Sequence, residues 1–251
     1  MRMKSIIIIP ARFASTRFPG KPLADIHGKS MIMRVVERAS KVTKDVWVAT
    51  DDDRIYQHVD NLGANVVMTR KDHPSGTDRI AEALQKIETQ SGTTFDVVIN
   101  IQGDEPFILT EQVEQLIESF NDKNVDIATL ANPLSSIDSI EDPNQVKVIF
   151  TPKGRAIYFS RSPIPFVRGV DKAEWTTKTS FWGHIGMYGY RADALRTITQ
   201  LAPSSLELCE SLEQLRWLEN DYHIHVSTTN HKGMGIDTPE DLKRALESGE
   251  F

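Results

Sequence analysis

Four consecutive isoleucines, Ile6 to Ile9, run straight into Pro10. No other feature constrains the fold of this chain as much. A β-branched run with no polar alternation reads as a strand covered on both faces, as inside a parallel sheet. Proline has no N–H to give to a ladder, so the strand should end at Pro10. The loop that follows carries Arg12, Arg17 and Lys21 and no carboxylate. Three cations on one short loop repel one another unless an anion sits among them. Open α/β sheets bind ligands just beyond the carboxyl ends of their strands, which is where this loop lies. The small residues Ala11, Ala14, Ser15 and Gly20 allow close backbone approach. A triphosphate therefore suits the loop better than bulk water does. The loop contains neither a G-x-x-x-x-G-K-[ST] phosphate loop nor a G-x-G-x-x-G dinucleotide turn.

The first half alternates strand and helix. Ile32, Val35, Val36 and Ala39 fall on one helical face. Strands are expected over 46–50, 66–68, 97–101 and 127–131. Helices between them are marked by Ile55 and Val59, by Ile80, Leu84 and Ile87, and by Val113, Leu116 and Phe120. Repeated units of this length predict an α/β fold, Rossmann-like, with a mostly parallel sheet and helices on both faces. After Asn132 the rhythm changes. Residues 146–150 and 155–160 flank Thr151-Pro152-Lys153-Gly154 and predict a β-hairpin. Residues 162–180 have no period and predict a long mobile loop. A strand follows over His184 to Tyr190. Two helices come next, one around Leu195 and Ile198, one around Leu208, Leu212 and Leu215. The last helix should open at Thr238-Pro239-Glu240-Asp241 with a capping box. The expected division is an α/β core over 1–131 and 184–251, with a smaller part over 132–183.

A chain of 251 residues can hold one large domain with an appendage. A formal charge of −6 argues against general nucleic-acid binding, so the basic loop is a local feature. The single cysteine, Cys209, fits a reducing compartment. The apolar run near the start is too short for a signal peptide, and no stretch approaches a membrane span. The expected location is the cytoplasm, with no nucleic-acid or membrane partner.

Gln102-Gly103-Asp104-Glu105-Pro106 closes the strand over 97–101, on the sheet edge of the basic loop. Two carboxylates beside a triphosphate repel it unless a divalent cation lies between, and Mg2+ favours one or two carboxylates plus phosphate oxygens. Asp104 is the first choice of ligand, and a turn at the same residues is compatible with that role. Asp237 follows Gly233 and Gly235 and precedes the last helix. It suits a helix N-terminus and a metal equally well. Ser75 and Thr77 are cap candidates for the helix after Asp72-His73-Pro74, whose N–H groups could also meet a base or a sugar hydroxyl.

Taken together, IIPARFASTRFPGKPL (8–23), VATD (48–51), MTRKDHPSGTDR (68–79), NIQGDEP (100–106), VKVIF (146–150), YFSRSPIP (158–165), GHIGMYGYR (183–191), CESLEQLR (209–216) and GIDTPEDL (235–242) resemble the 3-deoxy-manno-octulosonate cytidylyltransferase family. The resemblance spans almost the whole chain in family order. It implies a nucleotide-diphospho-sugar transferase fold and a homodimer, with the smaller β-rich part at the dimer contact. The implied reaction joins CTP and 3-deoxy-manno-octulosonate (Kdo) into CMP-Kdo and pyrophosphate, for lipopolysaccharide synthesis. Under it, Ala11, Arg12, Arg17 and Lys21 hold CTP, and Ser75, Gly76, Arg79, Gln102 and Gly103 complete the nucleotide site. Asp104 and Asp237 bind Mg2+. Catalysis falls to Lys21, Arg12, Arg17 and the two aspartates. Arg161, His184, Tyr188, Glu213 and Gln214 line the sugar-acid pocket. The chain departs from the family most over 166–182, around Trp175, Phe181 and Trp182, where a lid is implied. The nearest rival substrate is another acid sugar, a sialic acid or 8-amino-Kdo. A glycosyltransferase and a CTP-binding regulatory module are the more distant alternatives.

Overall fold

The isoleucine run forms the strand expected of it. In the computed structural model, which describes residues 3–14, 17–231 and 235–248, Ile6 to Ile9 are wholly buried in β1 (Ser5–Ala11). A small hairpin follows, β2 (Asp25–Ile26) and β3 (Lys29–Ser30), then α1 (Met31–Ala39), β4 (Val46–Thr50) and α2 (Asp53–Asn61). Next come β5 (Asn65–Met68), α3 (Gly76–Ser91), β6 (Val97–Asn100) and α4 (Thr110–Ser119). The second half opens with β7 (Ile127–Leu134), α5 (Ile137–Glu141), β8 (Lys147–Phe150), β9 (Ala156–Ser160) and α6 (Trp175–Lys178). It ends with β10 (Phe181–Arg191), α7 (Ala192–Ile198), α8 (Ser205–Glu210), α9 (Glu213–Glu219), β11 (Ile224–Thr228) and α10 (Pro239–Ser248).

The chain divides into two units, one from the described parts of 1–117, 189–199 and 233–251, the other from 118–188 and 200–232. In the first, the strands run in the order β6-β1-β4-β5, and every neighbouring pair is parallel. That order puts the carboxyl ends of β1 and β6 side by side. The expected apolar stripes face inward: Met31, Ile32, Val35, Val36 and Ala39 on α1, and Ile80, Leu84 and Ile87 on α3, are buried. Ser75 caps α3, its hydroxyl accepting the Asp78 N–H. A second cluster packs Ile26, Met31, Phe107, Ile236 and Ala245, so the loop after β6 and the start of α10 share one apolar anchor. The α10 capping box forms as expected. Thr238 Oγ1 accepts the Asp241 N–H at 3.1 Å, and Asp241 Oδ2 accepts the Thr238 N–H at 2.9 Å.

In the second unit β11 pairs in parallel with β7, and β7 neighbours β10. The β8–β9 hairpin is antiparallel as expected, its turn closed by Thr151 N–H to Arg155 O at 2.8 Å. Residues 118–131, 184–188 and 200–232 cluster with this unit, in which β7 and β11 are hydrogen-bonded partners. Two expectations are corrected here. The segment 162–180 is folded, not an open loop: Trp175 is buried, stacks on Phe181 with ring centroids 5.8 Å apart, and gathers Leu134, Ile140, Val167 and Val170. The helix expected around Leu208, Leu212 and Leu215 is two helices, broken at Ser211, whose φ is 52°. Leu208 is exposed as a result. Among the described residues, no helix is long and apolar enough to cross a membrane.

Candidate active site

The parallel pairing of β1 and β6 brings two loops to one edge of the first unit. Between them lies a cleft of about 280 Å3 whose lining includes Ala11, Arg12, Lys21, Gly76, Gln102, Gly103 and Asp104. The loops touch so closely that position 103 leaves little room for a side chain. A Cβ there would lie 3.1 Å from Pro10 O and 3.3 Å from Ile32 Cδ1. Glycine is the residue that permits such an approach.

Opposite charges meet at one point of this rim. Lys21 opens a short helical turn after Gly20 and is nearly buried. Its Nζ lies 2.5 Å from Asp104 Oδ2 and 3.1 Å from Asp237 Oδ1. Arg17 adds a second cation, with Nη2 3.1 Å from Asp237 Oδ2. The Ile236 N–H donates to Asp104 O at 2.9 Å, stitching the two aspartate-bearing segments together. Burial, with Asp104 and Asp237 nearby, pushes the Glu105 carboxyl up to about 7. Ser15 and Gly233, expected to aid close approach and reach, lie outside the described residues.

Among the described residues no group of three or more His, Cys, Asp or Glu side chains gathers as a metal cage. Two carboxylates instead converge on one position, held by the Lys21 ammonium. A cation already stands between Asp104 and Asp237. Asp104 and Asp237 are therefore the residues that could hold a Mg2+, an ion that favours one or two protein carboxylates.

The other nucleotide-site candidates fall into two groups. Arg12 is exposed at the cleft, with Nη2 donating to His73 O at 2.8 Å and to Ser75 O at 3.4 Å. Ser75 acts as a cap, and Gly76 beside it lines the cleft. Arg79 does not reach the cleft. It is wholly buried, donating to Asp51 Oδ2 at 2.6 Å and Thr69 Oγ1 at 2.5 Å. These bonds tie the ends of β4 and β5 together.

The sugar-pocket candidates all lie in the second unit. His184 Nε2 meets Thr129 Oγ1 at 2.9 Å, and burial pushes its imidazole down to about 3, so it is neutral. Its ring packs near Tyr188, 5.3 Å between centroids, and Tyr188 meets Trp217 edge-on. Arg161 is spent on backbone: Nε donates to Glu210 O at 2.7 Å, Nη1 to Pro143 O at 2.9 Å and Nη2 to Ser211 O at 3.3 Å. It clamps the turn before α9, which carries Glu213 and the buried Gln214. Glu213 itself pairs with Arg216 at 2.8 Å.

A family model described as Cytidylyltransferase matches residues 6–225. The chain belongs to that family. A 3-deoxy-manno-octulosonate cytidylyltransferase of Parabacteroides distasonis is 54% identical over 97% of both chains. One of Bacteroides thetaiotaomicron is 51% identical over 98% of both. A solved CMP:2-keto-3-deoxy-manno-octonic acid synthetase complexed with CTP superposes with a TM-score of 0.88 at 41% identity, covering 98% of each chain. The fold is thus the Rossmann-like one of nucleotidyltransferases.

Membership of the cytidylyltransferase family does not by itself point to the residues that support the site. Sequence reasoning gave no role to Glu82, His73, Asp51, Thr129, Glu210 or Lys147. Lys147 is wholly buried, and its Nζ donates to Arg161 O at 2.5 Å and Asp142 O at 2.9 Å. Only the polar positions inside apolar elements, Thr129 in β7 and Lys147 in β8, left a signal.

Proposed function

We propose that this protein transfers CMP from CTP to Kdo, giving CMP-Kdo and pyrophosphate. The anomeric oxygen of Kdo attacks the α-phosphorus in line. The bond from that phosphorus to the bridging oxygen breaks, pyrophosphate leaves, and the hydroxyl proton passes to solvent. CTP and Kdo are both anionic, so bringing them together costs electrostatic work. Arg12, Arg17 and Lys21 offset that cost and stabilise the charge that grows on the leaving phosphate. Asp104 and Asp237 would hold Mg2+ in this reading, and the ion would supply charge neutralisation and polarisation of the attacking hydroxyl. Holding both reactants in line supplies much of the remainder, ~7–11 kcal/mol in favourable cases.

One observation carries the reading: Lys21, Arg17, Asp104 and Asp237 meet at a single point on the cleft rim. Arg12, Gln102 and Gly103 line the same cleft. The identity to enzymes named for Kdo supports the choice of sugar. His184, Tyr188, Glu213, Gln214 and Arg161 shape the sugar-acid site in this proposal. We further place the protein in the cytoplasm, as a homodimer serving lipopolysaccharide synthesis. The test is a pyrophosphate-release assay with CTP, Mg2+ and a panel of Kdo, 8-amino-Kdo and sialic acid. Turnover with Kdo above the others is the expected result. Turnover with sialic acid alone, or none with any acid sugar, overturns the proposal.

A further inference from the structure

Arg12 does not stand alone at the cleft. Its guanidinium is aimed by the carbonyls of His73 and Ser75, at 2.8 and 3.4 Å. Those carbonyls belong to the segment between β5 and α3, which has no ladder of its own to fix it. Glu82, one turn and a half into α3, does the fixing. Its Oε2 accepts the Arg70 N–H at 3.0 Å and meets His73 Nε2. Its Oε1 pairs with Lys86 at 2.7 Å. The His73 side chain is almost fully buried. Burial alone would raise the Glu82 carboxyl, but its hydrogen bonds from Lys86, Arg70 N–H and His73 hold it down at about 2. A charged carboxylate thus grips, at Arg70 and His73, the segment that presents the two carbonyls.

We infer that Glu82 and His73 are positioning residues for nucleotide binding, acting through the His73 carbonyl on Arg12. This rests on the proposed role of Arg12 at the triphosphate. Neither residue touches the cleft. A half-buried carboxylate that served only the stability of α3 could have been capped by Lys86 alone. Here it spends two contacts on the loop that sets the direction of Arg12.

The test is a double-mutant cycle read by calorimetric binding of CTP with Mg2+ present. Glu82→Ala should weaken CTP binding about tenfold in the native background and less than about twofold when Arg12 is already alanine. Glu82→Gln keeps one acceptor for Arg70 and His73 and should restore most of the affinity. His73→Phe keeps the buried ring without the Glu82 contact, so it repeats the test should Glu82→Ala fail to fold. In steady-state assays kcat/KM for CTP should fall in Glu82→Ala in the native background and stay level when Arg12 is already alanine. Equal losses with and without Arg12, or unaltered CTP affinity in both Glu82→Ala and His73→Phe, overturns the inference. Failure of the proposed reaction is a separate outcome, seen as no CMP-Kdo formation by the unaltered protein.

Discussion

At the scale of single residues, Lys21 stands between the two aspartates proposed to hold the metal. Its ammonium touches both Asp104 and Asp237, and Arg17 touches Asp237 as well. A divalent cation arriving without nucleotide must compete with these fixed charges. In the proposed reaction a triphosphate would offer Lys21 and Arg17 a stronger partner and free the aspartates. Lys21→Met should therefore bind Mg2+ in the absence of CTP more tightly than the native protein, by about tenfold in a calorimetric titration. The same variant should lose turnover by about 10²–10³-fold, as should Asp104→Asn. Equal metal affinity in Lys21→Met and native protein refutes the competition. Gly20 is a second residue with little freedom. Its φ is 73°, and a Cβ there would lie 3.0 Å from Phe13 Cζ, itself covered by Arg54. Gly20→Ala should cost about 1 kcal/mol in denaturant unfolding, and more where the Phe13 ring cannot give way. It should also raise KM for CTP, because Arg17 and Lys21 flank the displaced turn.

At the scale of elements, the start of α10 sets where Asp237 stands. The capping box of Thr238 and Asp241 fixes the first turn, and hydrogen bonds from Thr238 lead in holding the Asp241 carboxyl down at about 2. Thr238→Ala should cost about 1 kcal/mol and speed amide exchange at Ile236 and Asp237. Unchanged exchange there means that the apolar anchor of Ile236 holds the segment without the box. That box was legible in the sequence because all its parts lie within four residues. The buried β1, the inward stripe of α1 and the hairpin were legible for the same reason: period and turn chemistry are local. What was not legible depends on distant partners. Nothing near Ser211 announces a left-handed residue in place of a continuous helix. The pairing of β11 with β7 is set across nearly a hundred residues of chain. Trp175 looks like a lone aromatic in a charged loop until Phe181 and Ile140 are seen beside it. The candidate site divides in the same way. Its charges were readable as clusters beside strand ends, whereas Glu82 with His73, and Arg79 with Asp51, pair across turns that no spacing rule predicts.

At the scale of the whole molecule, the two units carry opposing proton linkages, and their sum sets stability against pH in the ligand-free protein. His184, in the second unit, is lowered from 6.5 to about 3 by burial. The unfolded chain takes up that proton first, so this stabilisation is complete above 6.5 and is lost as pH falls toward 3. His225, also lowered by burial, acts with the same sign. Glu105, in the first unit, is raised from 4.5 to about 7. Here the native state keeps a proton that the unfolded chain releases, so stability is complete below 4.5 and is lost as pH rises toward 7. Between 4.5 and 6.5 the two oppose one another, each worth at most about 1.4 kcal/mol per pH unit. Urea midpoints across that window should be nearly flat or rise gently. Below 4.5 Glu105 drops out, while His184, Glu82 and Asp241 all lose stabilisation together, the last two through pKa values near 2. Acid unfolding should therefore be steep. His184→Gln removes the larger share of one side of the balance, leaving His225. Its midpoints should fall as pH rises from 4.5 to 6.5, while those of the native protein do not. Parallel profiles for the two proteins would mean that His184 is not kept neutral by the packing of Thr129, Phe159 and Tyr188 around it.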